Sequence, residues 1–172
     1  MTPSSPAYPV PPTRDLVVPE LRALATWLGE RPALWRPHVV HDPTQRTYHR
    51  LVSDAFVTVW LICWMPGHDT GFHDHDGSAG AVAVLDGEVV EERLRLLGGP
   101  ASAVYGPGQV LEFGPADIHR VRHHGVAPAV TIHAYSPALR RMGAYAEDEH
   151  GRLIRHALDE DTELKVEEPV AA

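Results

Sequence analysis

The sequence predicts an all-β barrel or sandwich preceded by one amphipathic helix, and three observations carry that prediction. From Thr47 onward apolar and polar residues alternate with period two. Gly- and Pro-containing turns break this pattern every eight to twelve residues or so, the spacing expected of sandwiches and barrels. Upstream, apolar residues instead recur at three- and four-residue spacing, the period of a helix face.

The elements follow in order. Residues 1–14 carry five prolines and no apolar period, and read as a flexible lead. Val18 to Gly29 reads as a helix: Pro19 suits its first turn, and Leu21, Leu24, Trp27 and Leu28 form one stripe. Gly29 stands where a C-terminal cap is expected. Residues 30–45 hold Pro32, Pro37 and Pro43 and read as loop with one short helical turn. Strands are expected at 47–52, 55–65, 72–75, 79–85, 88–96, 102–105, 109–113, 118–123 and 128–135. Residues 15–145 then form one domain, and 146–172 a charged extension, a surface hairpin or helix ending in an acidic tail.

Composition narrows the function. Of 172 residues, 15 are Lys or Arg and 23 are Asp or Glu, a net charge of −8. That balance argues against a nucleic-acid partner or an anionic membrane surface, both of which need clustered basic charge. No apolar run approaches the roughly 20 residues that span a bilayer, and the N-terminus lacks the order of a signal peptide. One cysteine excludes an internal disulfide. The reading is a cytoplasmic monomer with no membrane or nucleic-acid partner. Against that background, 12 histidines stand out.

The chemistry concentrates in Gly67-His68-Asp69-Thr70-Gly71-Phe72-His73-Asp74-His75. On a strand His73 and His75 face the same way and Asp74 points off. His119, in Gly114-Pro115-Ala116-Asp117-Ile118-His119, supplies a third imidazole. Three imidazoles suit a first-row divalent metal, and the open remainder of the coordination sphere points to catalysis rather than a structural staple. The usual small-barrel pattern adds a Glu where this chain has Gly80, which vacates a ligand position and clears space beside it. His123 shares parity with His119 and could line the same cavity. His38, His41, His68, His124, His150 and His156 lie in loops or charged segments and are expected to be solvated. Trp64 and Phe72 read as packing residues, and Cys63 as a buried structural thiol.

These residues give the chain a likeness. From Tyr48 to Met142 it resembles the cysteine dioxygenases, thiol dioxygenases of the cupin superfamily, in their bacterial form. The likeness rests on Tyr48-His49-Arg50-Leu51-Val52, Ile62-Cys63-Trp64, Gly67-His68, His73-Asp74-His75, Ile118-His119-Arg120-Val121 and Thr131-Ile132-His133-Ala134-Tyr135-Ser136-Pro137. The last is the most diagnostic, with Thr131 replacing a serine and keeping its hydroxyl.

The resemblance implies a cupin-type, jelly-roll-like small β-barrel. It implies that His73, His75 and His119 hold a mononuclear iron(II), that Arg50 beside Tyr48 receives the substrate carboxylate, and that Tyr135 is the active-site tyrosine oriented by His133 and Thr131. Met142 falls where other members border the pocket with cysteine. The implied reaction oxidises L-cysteine with O2 to cysteine sulfinate. Gly80 makes the tyrosine–cysteine crosslink of animal members impossible, and His123 stands where the motif often has Asn.

The residue types suit that chemistry. Without a carboxylate ligand the metal keeps its charge and favours an anionic thiolate. A guanidinium offers a carboxylate a planar fork. Shared strand parity places Thr131, His133 and Tyr135 on one face, where hydroxyl, imidazole and phenol can bond in series. Two alternatives stay open: a dioxygenase for 3-mercaptopropionate or another small thiol, and a non-catalytic metal-binding cupin module.

Overall fold

The computed structural model of the chain describes residues 11–159. The proline-rich residues 1–10 and the acidic tail after 159 lie outside the described residues. The helix forms where its period places it, as α1 (Val18–Gly29), with Glu20 reaching back to the Val17 N–H at 3.0 Å to satisfy one open donor of the first turn. Its C-terminus departs from expectation. Gly29 does not turn left-handed; the chain runs on through Glu30 into the four-residue helix α2 (Pro32–Trp35). A side chain at Gly29 would come within 2.8 Å of Leu85, so the glycine serves the approach of helix to sheet.

Eleven strands follow among the described residues, paired antiparallel in two sheets. They are β1 (Thr47–Ser53), β2 (Thr58–Trp64), β3 (His73–Asp74), β4 (Ala79–Asp86), β5 (Glu88–Arg93), β6 (Ala101–Tyr105), β7 (Val110–Phe113), β8 (His119–His124), β9 (Ala129–Ser136), β10 (Arg141–Glu147) and β11 (Leu153–Asp159). One sheet has the order β1-β2-β9-β4-β7 and the other β11-β10-β3-β8-β5-β6. The expected strands are all present, with shifted ends. β2 starts at Thr58 because the Asp54 carboxylate accepts from the Phe56 and Val57 N–H groups and turns the chain there. β5 stops at Arg93, and Leu96 and Leu97 lie in solvent. The hairpin β10–β11 begins at Arg141, earlier than the charge pattern suggests, so position 145 falls inside a strand.

Two apolar cores result. The first lies between α1 and the outer face of the five-stranded sheet: Leu21, Ala25 and Leu28 meet Val59, Leu61, Ala81, Ala83 and Ile132. The second lies between the sheets, where Trp60, Ile62, Trp64, Val82 and Leu111 meet Val89, Val121 and Met142. β2 and β9 are buried on both faces along their whole length. Each fully buried Leu or Ile removed from water contributes about 1.5–3 kcal/mol. At the β4–β5 turn Gly87 adopts φ +65°, and a side chain there would lie 2.4 Å from the Pro128 carbonyl, so only glycine closes this turn. That turn fixes β5, and through β5 the strand that carries His119.

Candidate metal centre

The site lies between the two sheets, and each of its walls is set by strand parity. On the six-stranded sheet β3 pairs with β8 so that His73 stands directly across from His119. His75 follows β3 by one residue. The three ring centroids lie 4.8 to 5.1 Å apart. Their ligand atoms all fall within 4.8 Å of one another, and all three rings are buried.

Hydrogen bonds fix two of these rings. His73 Nδ1 lies 3.0 Å from the Gly71 carbonyl and His119 Nδ1 lies 2.7 Å from Glu91 Oε1. With acceptors at Nδ1, both imidazoles carry their proton there and leave Nε2 as the ligand atom, the outer-shell arrangement that orients metal-binding histidines. His75 is different: both of its ring nitrogens are buried without a hydrogen-bond partner. Sealing such a group costs about 1–3 kcal/mol unless something binds it. Its ring stacks on Phe113 at 4.3 Å. A divalent metal bound by these three nitrogens answers the orphaned imidazole, so the donor set fits the group.

Electrostatics keep the centre ready for a cation. Burial first, then the charges of neighbouring histidines, push His73 down to about 3 and His75 well below its ordinary value. Neutral imidazoles are the metal-binding form. Burial raises the Glu91 carboxyl, but its bonds to His119 and Arg93 outweigh burial and hold it ionised. Asp74 points off the site as expected. It takes Arg155 of β11 at 2.7 and 2.9 Å and the Tyr145 hydroxyl of β10 at 2.7 Å, and so ties the C-terminal hairpin behind the His73–His75 segment.

The opposite wall comes from β2 and β9. Thr131, His133 and Tyr135 are linked in series: Thr131 Oγ1 to His133 Nε2 at 2.9 Å, and His133 Nδ1 to Tyr135 Oη at 3.0 Å. Trp64, expected only to pack, heads this chain by donating from Nε1 to Thr131 Oγ1 at 2.8 Å. The Thr131 proton then has two acceptors, His133 Nε2 at 2.9 Å and the Ile62 carbonyl at 3.4 Å, of which the first is the better bond. With that bond made, His133 donates from Nδ1 to the Tyr135 oxygen, and the phenol acts as a donor to its next partner. Burial, with the charges of His119, His73 and Arg46, holds His133 well below its ordinary value, so the relay is neutral. Tyr135 lies 5.1 Å from His75, ring to ring.

The space beside Gly80 is not open. A Cβ there would sit 2.1 Å from Phe113 Cζ, because the Phe113 ring fills the place of the absent side chain and stacks on His75. Gly80 pairs with both Phe113 and Tyr135, which draws that ring into the gap. His68 is buried rather than solvated, its Nδ1 accepting from the Met65 N–H at 2.9 Å. His123 turns to the Ala127 carbonyl at 2.8 Å and is not among the metal-site histidines.

The candidate substrate residues divide. Tyr48 lines the cavity with His73, His119, His133 and Tyr135. Met142 is fully buried in the inter-sheet core beside Tyr135 and Leu139. Arg50 is exposed on β1, its guanidinium 4.5 Å from the Trp60 ring that forms part of the cavity wall. The arginine that lines the cavity itself is Arg46, in the segment before β1. Two residues at the centre were therefore missed. Arg46 shares the parity of Tyr48 and Arg50 one step upstream of the strand. Glu91 shares the inward parity of Val89, where an acidic residue is the signal.

Solved structures share this arrangement of sheets at low identity. A Thermus thermophilus protein aligns with a TM-score of 0.54 at 21% identity, over 60% of this chain and 93% of its own. A Klebsiella pneumoniae conserved protein with a double-stranded beta-helix domain gives 0.52 at 15%, over 59% and 85%. A cupin superfamily protein from Desulfitobacterium hafniense gives 0.51 at 17%, over 63% and 92%. The fold is thus the cupin double-stranded β-helix, here holding a three-histidine group suited to a metal ion. Residues 14–148 match the family described as cysteine dioxygenase type I, and the chain belongs to that family. Family and fold support a thiol-dioxygenase-like oxidoreductase. Among the described residues no helix is long and apolar enough to cross a membrane.

Proposed function

We propose that this protein oxidises L-cysteine with O2 to cysteine sulfinate at a mononuclear iron(II) held by His73, His75 and His119. The observation that supports this most directly is the convergence of His73, His119, His133 and Tyr135 on one cavity, with His75 clustered beside the first two and the Trp64–Thr131 pair supporting His133 from behind. Both oxygen atoms enter sulfur, so sulfur is oxidised as dioxygen is reduced and no external reductant is needed. Bound iron supplies the redox chemistry that activates dioxygen.

The chain's own residues bind, orient and exclude water. Glu91 and the Gly71 carbonyl hold the His119 and His73 rings in their ligand tautomers. Tyr135 presents a hydroxyl proton to the carboxylate or to oxygen, held by a neutral His133 that cannot release charge into the site. Arg50 and Tyr48 at the β1 edge receive the substrate carboxylate. Ile62, Val121 and Leu139 form the apolar part of the wall, which strengthens these polar contacts by excluding solvent. The single buried cysteine supports a reducing, cytoplasmic setting.

A second reading, dioxygenation of 3-mercaptopropionate, is favoured by the cavity lining: none of its described residues is a carboxylate that would receive the amine distinguishing cysteine from the amine-free acid. Oxygen uptake and sulfinate formation by the iron-loaded protein separate the two. The proposal expects kcat/KM for cysteine at least tenfold above that for the amine-free acid, on the order of one well-made charged contact. The reverse preference would overturn the cysteine assignment, and failure to bind iron at all would overturn the enzymatic one.

A further inference from the structure

His75 is the one metal-site histidine whose ring no hydrogen bond orients. His73 is held through Nδ1 by the Gly71 carbonyl and His119 through Nδ1 by Glu91, whereas both ring nitrogens of His75 lack a partner. Its aim therefore depends on the Phe113 ring it stacks against and on the backbone that carries it. The next residue, Asp76, has φ +47° and is the one left-handed non-glycine among the described residues. Such a conformation persists only where surrounding contacts hold it.

Those contacts come from the C-terminal hairpin. Arg155 of β11 reaches across β10 and sets a single guanidinium on both neighbours of His75. Its Nε donates to Asp74 Oδ2 at 2.7 Å, and its Nη2 donates to Asp74 Oδ1 at 2.9 Å and to Asp76 Oδ1 at 3.1 Å. Arg141 of β10 stands 3.1 Å from the other Asp76 oxygen. Asp74 Oδ1 in turn accepts the Asp76 N–H at 2.9 Å, which closes the turn around His75. The path across β10 exists because position 143 is glycine: a Cβ there would lie 2.2 Å from Arg155 Nε and 2.6 Å from Asp74 Oδ2. Backbone pairing between β10 and β3 covers only Gly143 with Asp74 and Ala144 with His73, so side chains must carry much of the attachment. A planar fork can serve two carboxylates at once, which the point charge of a lysine cannot. Arg155 lies past residues 14–148, the span matched to the family.

We propose that Arg155 is a positioning residue for the metal centre. By clamping Asp74 and Asp76 it fixes the backbone on both sides of His75, and so takes the place of the outer-shell hydrogen bond that His75 lacks. The hairpin β10–β11 is then part of the centre and not an appendage to it. The inference rests on His75 being a metal ligand, and is independent of which thiol is oxidised.

Cobalt(II) binding to the full-length protein, measured by chelator competition with no thiol present, tests it. Outer-shell partners of metal-binding histidines are worth about ten- to a hundredfold in affinity. The Arg155 side chain is 36% exposed and acts one step removed, which places its effect at the lower end. Arg155→Gln is expected to weaken cobalt binding by about tenfold, and Arg155→Lys, which reaches one carboxylate only, by about threefold or more. Gly143→Ala keeps the guanidinium but blocks its path, and should reproduce the loss. Arg152→Ala is the control: it cuts the 2.7 Å contact to Asp148 at the turn of the same hairpin and should leave Kd within about twofold. The visible absorption of bound cobalt, which reports ligand geometry, should change in the Arg155 variants and not in Arg152→Ala. A Kd within about twofold of wild type in folded Arg155→Gln and Arg155→Lys overturns the proposal. So does an equal loss in Arg152→Ala, which would reduce Arg155 to general support of the hairpin. A wild-type protein that binds no cobalt overturns the three-histidine centre itself, a result distinct from either.

Discussion

The two faces of β9 are equally buried and chemically opposite. Val130, Ile132 and Ala134 look outward into the apolar core under α1. Thr131, His133 and Tyr135 look inward and satisfy one another, with Trp64 at the head of the series. Burial by itself therefore does not mark a site. A buried polar residue is tolerated in a core only when its partners are supplied, and an imidazole sealed without one, as His75 is, signals a missing ligand. The outer face holds the sheet; the inner face holds the chemistry.

The sharpest way to separate the faces is to remove one residue from each. His119→Ala is expected to reduce iron content to background, because two imidazoles seldom retain a metal that three hold. Ile132→Ala should destabilise the fold by about 2–5 kcal/mol through the cavity it leaves, with iron per folded chain unchanged. Metal analysis beside denaturant unfolding reads both. Retention of iron by His119→Ala would remove that residue from the centre.

Glu91 tests whether the support behind the ligands matters. Glu91→Gln withdraws the charge from His119 Nδ1, and changes of this kind weaken metal binding by about ten- to a hundredfold. Competition against a chelator measures it. An unchanged affinity would make the 2.7 Å contact to His119 structural only.

Acid distinguishes the faces without mutating the metal ligands. His73, His75 and His133 have native values below the ordinary 6.5. Below pH 6.5 the unfolded chain therefore binds more protons than the native one, and stability falls as pH falls toward 3. Depressed carboxyls such as Asp74 act in the same direction, but only below their own ordinary value of 3.8. The window from about pH 6.5 down to about 4.5 therefore isolates the histidines. In metal-free protein each contributes a slope of about 1.4 kcal/mol per pH unit. His133→Gln should lower the slope by one such increment, while Ile132→Ala should shift stability equally at every pH. Parallel curves for wild type and His133→Gln would show that His133 is not held neutral by the fold.

Much of this was legible in the sequence, and what was hidden had a physical reason. The His73–His75 spacing, the later His119 and the parity of Thr131, His133 and Tyr135 are local patterns, and the structure keeps each of them. The helix was legible because one face stays wet. Glu91 was obscured because its role depends on β5 pairing with β8, which places Val121 across from it and His119 across from Arg93. Arg46 lies outside the strand whose alternation would have pointed it inward. Gly80 was read as making room, but whether a missing side chain leaves space depends on its cross-strand partner, and here Phe113 fills it. The β10–β11 hairpin carries exposed charge on an edge strand, so no apolar period announced it.

The smallest expected effect is also the finest test of the two faces, because it compares adjacent residues on β2. Cys63 faces the helix-side core and Trp64 faces the relay. Trp64→Phe keeps an aromatic ring in the core but removes the N–H, leaving a Thr131 lone pair unpaired at a cost of about 1 kcal/mol. Thr131 is then held less firmly against His133, and the relay loses the partner that fixes its hydroxyl. The expected result is a fall of about three- to tenfold in kcat with KM nearly unchanged, since Arg50, the proposed carboxylate contact, lies against Trp60 rather than Trp64. Cys63→Ala removes a sulfur of comparable local importance to packing and should leave kcat alone. If Trp64→Phe matched wild type in kcat, Trp64 would return to the status its sequence position suggests, a packing residue, and the relay would begin at Thr131.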